Sequence, residues 1–343
     1  MIYQKKWIQQ YLEALEKEIE TIYQKEPLET IYIGGGTPSC LDIHELEKLF
    51  SIIKKLNKID EVEFTIEGNF ESTTKEKLEL YKKNGVNRLS FGLESTNPEQ
   101  LSFLNRQVNK NHIEEMIQEA RNLGFSNINV DLIYALPKEN KEILAKDLNY
   151  IFQLGVEHIS TYSLIIEKNT ILDIHKEKNI EEDLDYEMYQ EICQQMRKNH
   201  YKHYEISNFC KEDYESKHNT TYWNNEEYYG FGLGASSYRK NKRIENTRSL
   251  TAYCNGNYQK AVEIVSNKDK MEYQILLNLR KKEGISLSQF QEIFHKKLGD
   301  CYDYRELEKQ GFLKTSEDHL FIPEEKWYIS NEIIVELLER ETV

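Results

Sequence analysis

Residues 121–164, RNLGFSNINVDLIYALPKENKEILAKDLNYIFQLGVEHISTYSL, hold the unit from which the fold is read. Leu123-Gly124-Phe125 closes a helical pattern, glycine supplying the left-handed cap, and Ser126 to Tyr134 then alternates as a strand. Leu154-Gly155-Val156 closes the next helical pattern, and His158 to Leu164 follows as another strand. Upstream, Asn84-Gly85-Val86 precedes the strand Asn87 to Leu93 in the same way, and Glu61 to Glu67 and Thr30 to Ile33 read as earlier strands. Downstream, a helix around Asp183 to Lys198 leads to a strand from His203 to Ser207. Strand starts near 30, 61, 87, 126, 157 and 203 have the spacing of βα units whose parallel strands are covered by helices. Six such units predict an α/β fold, a complete or partial (βα) barrel, with a doubly wound sheet as the rival topology.

The two ends depart from the repeat. Trp7, Ile8, Tyr11, Leu12, Leu15, Ile19 and Ile22 recur at helical steps up to Pro27, yet no strand precedes this opening helix. A leading helix in a parallel βα array packs over the strand before it, so the pattern predicts that the first strand and its loop are missing. Asp42 and Glu45 form a capping-box pattern for a helix running to about Leu56. In the tail, Asp269 to Lys282, Ser288 to Leu298 and Tyr304 to Gln310 read as short helices. Phe312 to Thr315 and Leu320 to Ile322 make a hairpin, and a last helix holds Ile333, Ile334, Leu337 and Leu338. This predicts a winged-helix-like C-terminal domain, 241–343, after a barrel domain, 1–240.

The 343 residues carry 45 Lys and Arg against 59 Asp and Glu, a net charge of −14. From 268 onward there are 12 basic and 16 acidic residues. Both balances disfavour nucleic acid, whose phosphates are held by clustered Lys and Arg. No apolar run approaches membrane-spanning length and no signal sequence opens the chain, so no integral membrane segment and a cytoplasmic location are expected. Cysteines stand at 40, 193, 210, 254 and 301, with no CxxC or CxxxCxxC spacing among them. Reduced thiols, rather than disulfides or a cysteine-held cluster, are expected.

In βα folds the site lies at the carboxyl ends of the strands. The first strand runs into Gly34-Gly35-Gly36-Thr37-Pro38, whose unshielded backbone lets polar ligand atoms approach, although a tight turn would use glycine too. It is neither a Walker A loop nor GxGxxG. Glu67 and Glu94 end the next two strands, Arg106 follows the third strand in a short connection, and Asp131 lies near the end of the fourth. Singly, each reads as a solvated charge. Together they suit a zwitterion bearing hydroxyls, with Arg106 on a carboxylate and the acids on ammonium or ribose. Glu67 or Glu94 serving as the general base of a hydrolase or aldolase is an alternative. Between 203 and 238 stand HYEISNF, HNTTYW and YYGFGLGASSY, aromatics and a histidine that suit a large flat ligand, with His218 as an axial ligand to iron. The plainer reading is an aromatic core beneath a Gly-rich connection. A zinc site from His200, His203, Cys210 and His218 would need residues on opposite faces of a strand and is not expected.

Taken in order, IYIGGGTPS, FTIEGNF, GVNRLSFGLES, NINVDLIYALP, HISTYSLIIE, HYEISNF, HNTTYW and YYGFGLGASSY resemble the radical-SAM, oxygen-independent coproporphyrinogen III oxidase-like family, in its HemW-type haem chaperone branch. The resemblance implies a partial (βα)6 barrel holding S-adenosylmethionine beside a [4Fe-4S] cluster, with a HemN-like C-terminal domain. By motif, Gly35, Gly36 and Thr37 would meet the methionyl end and Arg106 its carboxylate, with Glu67, Glu94 and Asp131 about the ribose. His218, Asn219, Tyr222 and Trp223 match the HNxxYW signature of the haem chaperones, making His218 the implied haem ligand in a protein that hands haem to respiratory acceptors.

Several positions depart from that pattern. The family's CxxxCxxC cluster ligands do not occur, Glu94 replaces a usual Gln, Phe70 a Pro and Ala135 a Gly. These departures lead to the expectation of a cluster-deficient haem binder that forms no 5′-deoxyadenosine, with Met1 an internal methionine or the gene a decayed paralogue. The alternative function is a coproporphyrinogen III oxidase or dehydrogenase, or another radical-SAM oxidoreductase.

Overall fold

Five parallel strands account for the repeated unit. In the computed structural model β1 (Leu28–Ile33), β2 (Lys58–Asn69), β3 (Arg88–Glu94), β4 (Asn127–Tyr134) and β5 (His158–Ser163) each pair with the next in parallel. The structure describes residues 5–166 and 180–342, so Met1, and Glu167 at the end of HISTYSLIIE, lie outside it. The helices between the strands are α2 (Ile43–Ile53), α3 (Lys75–Lys83), α4 (Pro98–Phe103), α5 (Lys110–Asn122) and α6 (Lys141–Leu154), preceded by α1 (Lys5–Ile22). Local signals set their ends. Asp42 and Glu45 exchange both bonds of a capping box at α2, and Gly85, Gly124 and Gly155 take φ of 89°, 80° and 67° after α3, α5 and α6.

The sixth unit differs from expectation. Lys202–Glu205 (β6) turns directly into Asn208–Cys210 (β7), and it is β7 that pairs with β5, antiparallel, leaving β6 at the edge. Two residues between β6 and β7 suffice for a hairpin, whereas a parallel crossover needs about a dozen. The half-barrel sheet is therefore ordered β1-β2-β3-β4-β5-β7-β6 and open at both edges.

Alternation along the parallel strands separates two faces. Ile31, Phe64, Ile66, Leu89, Phe91, Ile128, Val130, Leu132 and Ile159 lie on one face, all but fully buried. The in-register residues of the other face are polar: Tyr32, Thr65 and Arg88 in one row, then Glu67, Ser90, Asn129 and His158, then Asp131 and Ser160. A parallel sheet packed on both faces reads as near-continuous apolar runs. Here one face is core, and the other is a polar lining.

Internal packing divides the chain into residues 27–215 and, as a second unit, residues 2–26 together with 216–343. This division differs from the boundary expected near residue 240. A buried carboxylate explains the assignment of α1 to the second unit: Glu18 accepts from Gly232 N (2.8 Å), Asn246 Nδ2 (2.6 Å) and the Tyr253 hydroxyl. In the same unit Ser236–Arg239, Lys242–Asn246 and Gln259–Ile264 form a three-stranded antiparallel sheet that the sequence reading missed, its first hairpin turning on Lys240 and Asn241, both at positive φ. The tail is winged-helix-like as expected, with Ile285–Ser286 and Lys314–Ser316 flanking His319–Phe321 among short helices. The helix expected over 288–298 stops at Phe294, where His295 takes a left-handed φ of 55°. Among the described residues no helix is long and apolar enough to cross a membrane.

Candidate functional site

The carboxyl end of β1 is locked to that of β2. Gly35 N donates to Glu67 Oε2 (3.0 Å) and the Tyr32 hydroxyl donates to Glu67 Oε1 (2.7 Å). The three glycines have different reasons to be glycine. A Cβ on Gly34 would stand 2.6 Å from both the Glu67 carboxyl and the Tyr32 ring, Gly35 holds φ at +81°, and Gly36 faces open space. Gly34 to Thr37 are exposed, and of their backbone groups Gly35 N is held by Glu67 and the Thr37 carbonyl by Cys40 N. Burial and the neighbouring Glu67 carboxylate push the Tyr32 hydroxyl well above its ordinary pKa.

Glu94, the last residue of β3, sits at φ +69° where the β3–β4 register slips. A left-handed side-chain-bearing residue costs about 1–2 kcal/mol, so this carboxylate is held in place against strain. A Cβ on Gly92 would meet Glu94 Oε1 at 2.5 Å, so glycine there makes room for it. Arg106 donates from Nη1 to Glu94 (3.2 Å) and from Nη2 to the Gly92 carbonyl (3.0 Å). Its Nε and Nη2 also grip Glu71 at 2.8 and 3.1 Å, a residue the sequence reading did not single out. Burial, and then the Asp131 charge, push the Glu94 carboxyl up to about 7 against the pull of Arg106.

That shift sets a pH dependence. A carboxyl raised in the fold binds its proton more tightly there than in the unfolded chain, so its contribution to stability is lost as pH rises from about 4.5 towards 7. Glu94→Gln, neutral at every pH, should be about 1–2 kcal/mol more stable than the wild type at pH 8 and equal to it near pH 4. Urea midpoints at the two pH values measure this; a difference independent of pH would refute the assignment.

Asp131 is raised by burial in the same way, with Glu67 adding to the effect and Arg88 opposing it. Behind it runs a buried chain. Asn129 Nδ2 donates to Asp131 Oδ1 and Ser90 Oγ, both at 2.8 Å, while its Oδ1 accepts from His158 Nδ1 (2.6 Å) and Ser160 Oγ (3.1 Å). His158 Nδ1 therefore carries the proton, and Nε2 accepts from the Tyr204 hydroxyl (2.8 Å). Burial, then Arg88, hold this imidazole well below its ordinary pKa, so it is neutral. The alternation Asn127, Asn129, Asp131 between apolar residues was the signal for this chain. Ala135, where glycine was expected from the motif, stands at φ +61°, a conformation that suits glycine.

The structure thus brings Gly35, Glu67, Glu94, Arg106 and Asp131 to one face and one end of the half-barrel, with Gly36 and Thr37 on the adjoining turn. The acids exceed the cations there, and two of them resist ionising, so the site suits a ligand that carries positive charge beside a carboxylate. S-adenosylmethionine, with its sulfonium and ammonium, fits that donor set and the open glycine turn.

His218, Asn219, Tyr222 and Trp223 belong to the second unit, in the helix Lys217–Trp223 capped by Ser216 Oγ, which accepts from Asn219 N (3.2 Å). His218 and Tyr222, four residues apart, share a helix face. Their rings meet edge-on at 4.9 Å, and the Tyr222 hydroxyl lies 3.0 Å from His218 Nε2. Burial pushes Tyr222 up to about 12, so the phenol stays protonated in its hydrogen bond with the imidazole. Tyr228 packs against Tyr222 at 4.6 Å. The buried Trp223 Nε1 has no hydrogen-bond partner among the described residues.

Among the described residues no three His, Cys, Asp or Glu side chains stand where they could share a metal ion. A [4Fe-4S] cluster therefore finds no fitting ligand set in them.

A model of the Radical SAM superfamily matches residues 3–151, and one of the HemN C-terminal domain matches residues 265–329. The chain is 33% identical over 341 residues to the heme chaperone HemW of Lactococcus lactis subsp. lactis, covering 96% of this chain and 90% of that protein. It is 34% identical over 342 residues to the heme chaperone HemW of Bacillus subtilis, covering 95% and 90%. Among solved structures, coproporphyrinogen III oxidase (HemN) from Escherichia coli, a radical SAM enzyme, superposes with a TM-score of 0.86 at 20% identity, over 98% of this chain and 84% of that one.

Proposed function

The chain belongs to the HemW haem-chaperone family within the radical-SAM superfamily, and on that premise we propose that it binds haem through His218 for transfer to acceptor proteins in the cytoplasm. Support comes from the helix Lys217–Trp223, none of whose residues is fully buried and whose His218 Nε2 shares a hydrogen bond with the Tyr222 hydroxyl. Such a bond is worth about 1 kcal/mol net, so iron displaces it readily. Tyr222 supplies aromatic surface beside the imidazole, with Tyr228 packed on it, and Trp223 Nε1 is a donor without an acceptor among the described residues.

The polar face of the half-barrel serves, on this reading, as the S-adenosylmethionine site. The backbone of Gly35, Gly36 and Thr37 meets the methionyl end, Arg106 its carboxylate, and Glu67, Glu94 and Asp131 the ribose and the cationic centres. S-adenosylmethionine supplies a sulfonium cation there, and the chain's own groups orient it. Titration with ferric haem tests the function. One equivalent with a Soret band displaced from that of free haem is expected, and a spectrum unchanged from free haem overturns the proposal.

A further inference from the structure

We infer that Glu71 is a built-in competitor for the ligand carboxylate at Arg106, so that this site binds S-adenosylmethionine only by displacing one of its own side chains. The inference rests on the reading of the half-barrel face as the S-adenosylmethionine site.

A guanidinium offers five N–H groups, and its Nε–Nη2 edge is one of the forks that match a carboxylate. In this chain that edge is taken: Nε donates to Glu71 Oε1 and Nη2 to Glu71 Oε2, at 2.8 and 3.1 Å. The second N–H of Nη2 goes to the Gly92 carbonyl and one from Nη1 goes to Glu94. Four of the five donors are thus engaged within the protein. An incoming carboxylate gains a two-point grip only when Glu71 leaves.

Glu71 is placed to leave by rotation of its side chain alone. It lies in the Phe70–Ser72 turn after β2, whose backbone is pinned on both sides. Phe70 is buried and stacked on Phe91 at 4.7 Å, Asn69 Oδ1 accepts from Ser72 N (2.9 Å), and Thr73 Oγ1 donates to the Asn69 carbonyl (2.7 Å). Between these anchors the Glu71 side chain is 29% exposed. Its release to water costs its two charge-assisted bonds to Arg106, so its presence lowers affinity for a carboxylate ligand by about tenfold. A ligand without a carboxylate has no use for the fork and feels no such competition.

Equilibrium binding of S-adenosylmethionine and of its decarboxylated analogue to the wild type, Glu71→Gln and Arg106→Gln decides the matter. Glu71→Gln is expected to bind S-adenosylmethionine about tenfold more tightly and the analogue within twofold of the wild type. If it binds S-adenosylmethionine no better than the wild type, or if both ligands shift alike, Glu71 is not a competitor; should Arg106→Gln still lose affinity in that case, the cofactor reading stands without it. If the wild type and Arg106→Gln fail alike to bind S-adenosylmethionine, the cofactor reading falls, and this inference with it.

Discussion

His218→Ala is expected to abolish the displaced Soret band and weaken haem binding by about 100-fold, because loss of an axial imidazole removes the iron bond on which the haem site is read to depend. Neighbouring aromatics still offer surface to the porphyrin in this variant, so weak binding with a spectrum like that of free haem should persist. Tyr222→Phe provides the opposite sign. Its hydroxyl lies 3.0 Å from His218 Nε2, the nitrogen that iron would take. Removing this competing hydrogen bond, worth about 1 kcal/mol, should tighten haem binding about fivefold. A His218→Ala protein with the wild-type spectrum would exclude this histidine as the ligand, and a Tyr222→Phe protein that binds haem poorly would show that the phenol supports the site.

The second large effect is expected at Gly34→Ala. The added Cβ would stand 2.6 Å from both the Glu67 carboxyl and the Tyr32 ring, and both belong to the lock that shapes the glycine turn. Either Glu67 swings out, releasing Gly35 N and the Tyr32 hydroxyl, or the turn itself moves. Overpacking of this kind costs about 1–3 kcal/mol of stability. We expect S-adenosylmethionine affinity to fall by at least about 100-fold, because on the proposed reading the turn and Glu67 would contact the ligand together. Gly36→Ala is the control for folding, since its Cβ meets nothing within 4 Å and should leave the melting temperature unchanged. Melting curves and equilibrium dialysis on both variants give the comparison. Wild-type affinity in Gly34→Ala would mean that the turn is no part of the cofactor site.

The residues that were legible in advance share one property: their signals are local. Glycine caps at 85, 124 and 155, the Asp42–Glu45 box and the period-two strands each depend on residues a few positions apart. Strand alternation also brought Glu67 and Asp131 to the polar face, because the pleat ties sequence parity to side-chain direction. Glu71 escaped notice because its partner Arg106 lies 35 residues away, beyond any helical or strand period. The left-handed backbone of Glu94 was equally invisible, since glutamate does not announce positive φ, and at Ala135 only the glycine of the family motif pointed to it.

From the sequence alone came the βα repeat, the winged-helix-like tail, the acids grouped at strand ends and the HNTTYW signature, all of them written in short-range spacing and residue type. Tertiary structure alone decided that β7 reverses against β5, that α1 joins the second unit through buried Glu18, and that Glu71 occupies Arg106. Pairings between distant segments follow from which polar groups must find partners once water is excluded, and that depends on the assembled surface, not on any one stretch of chain.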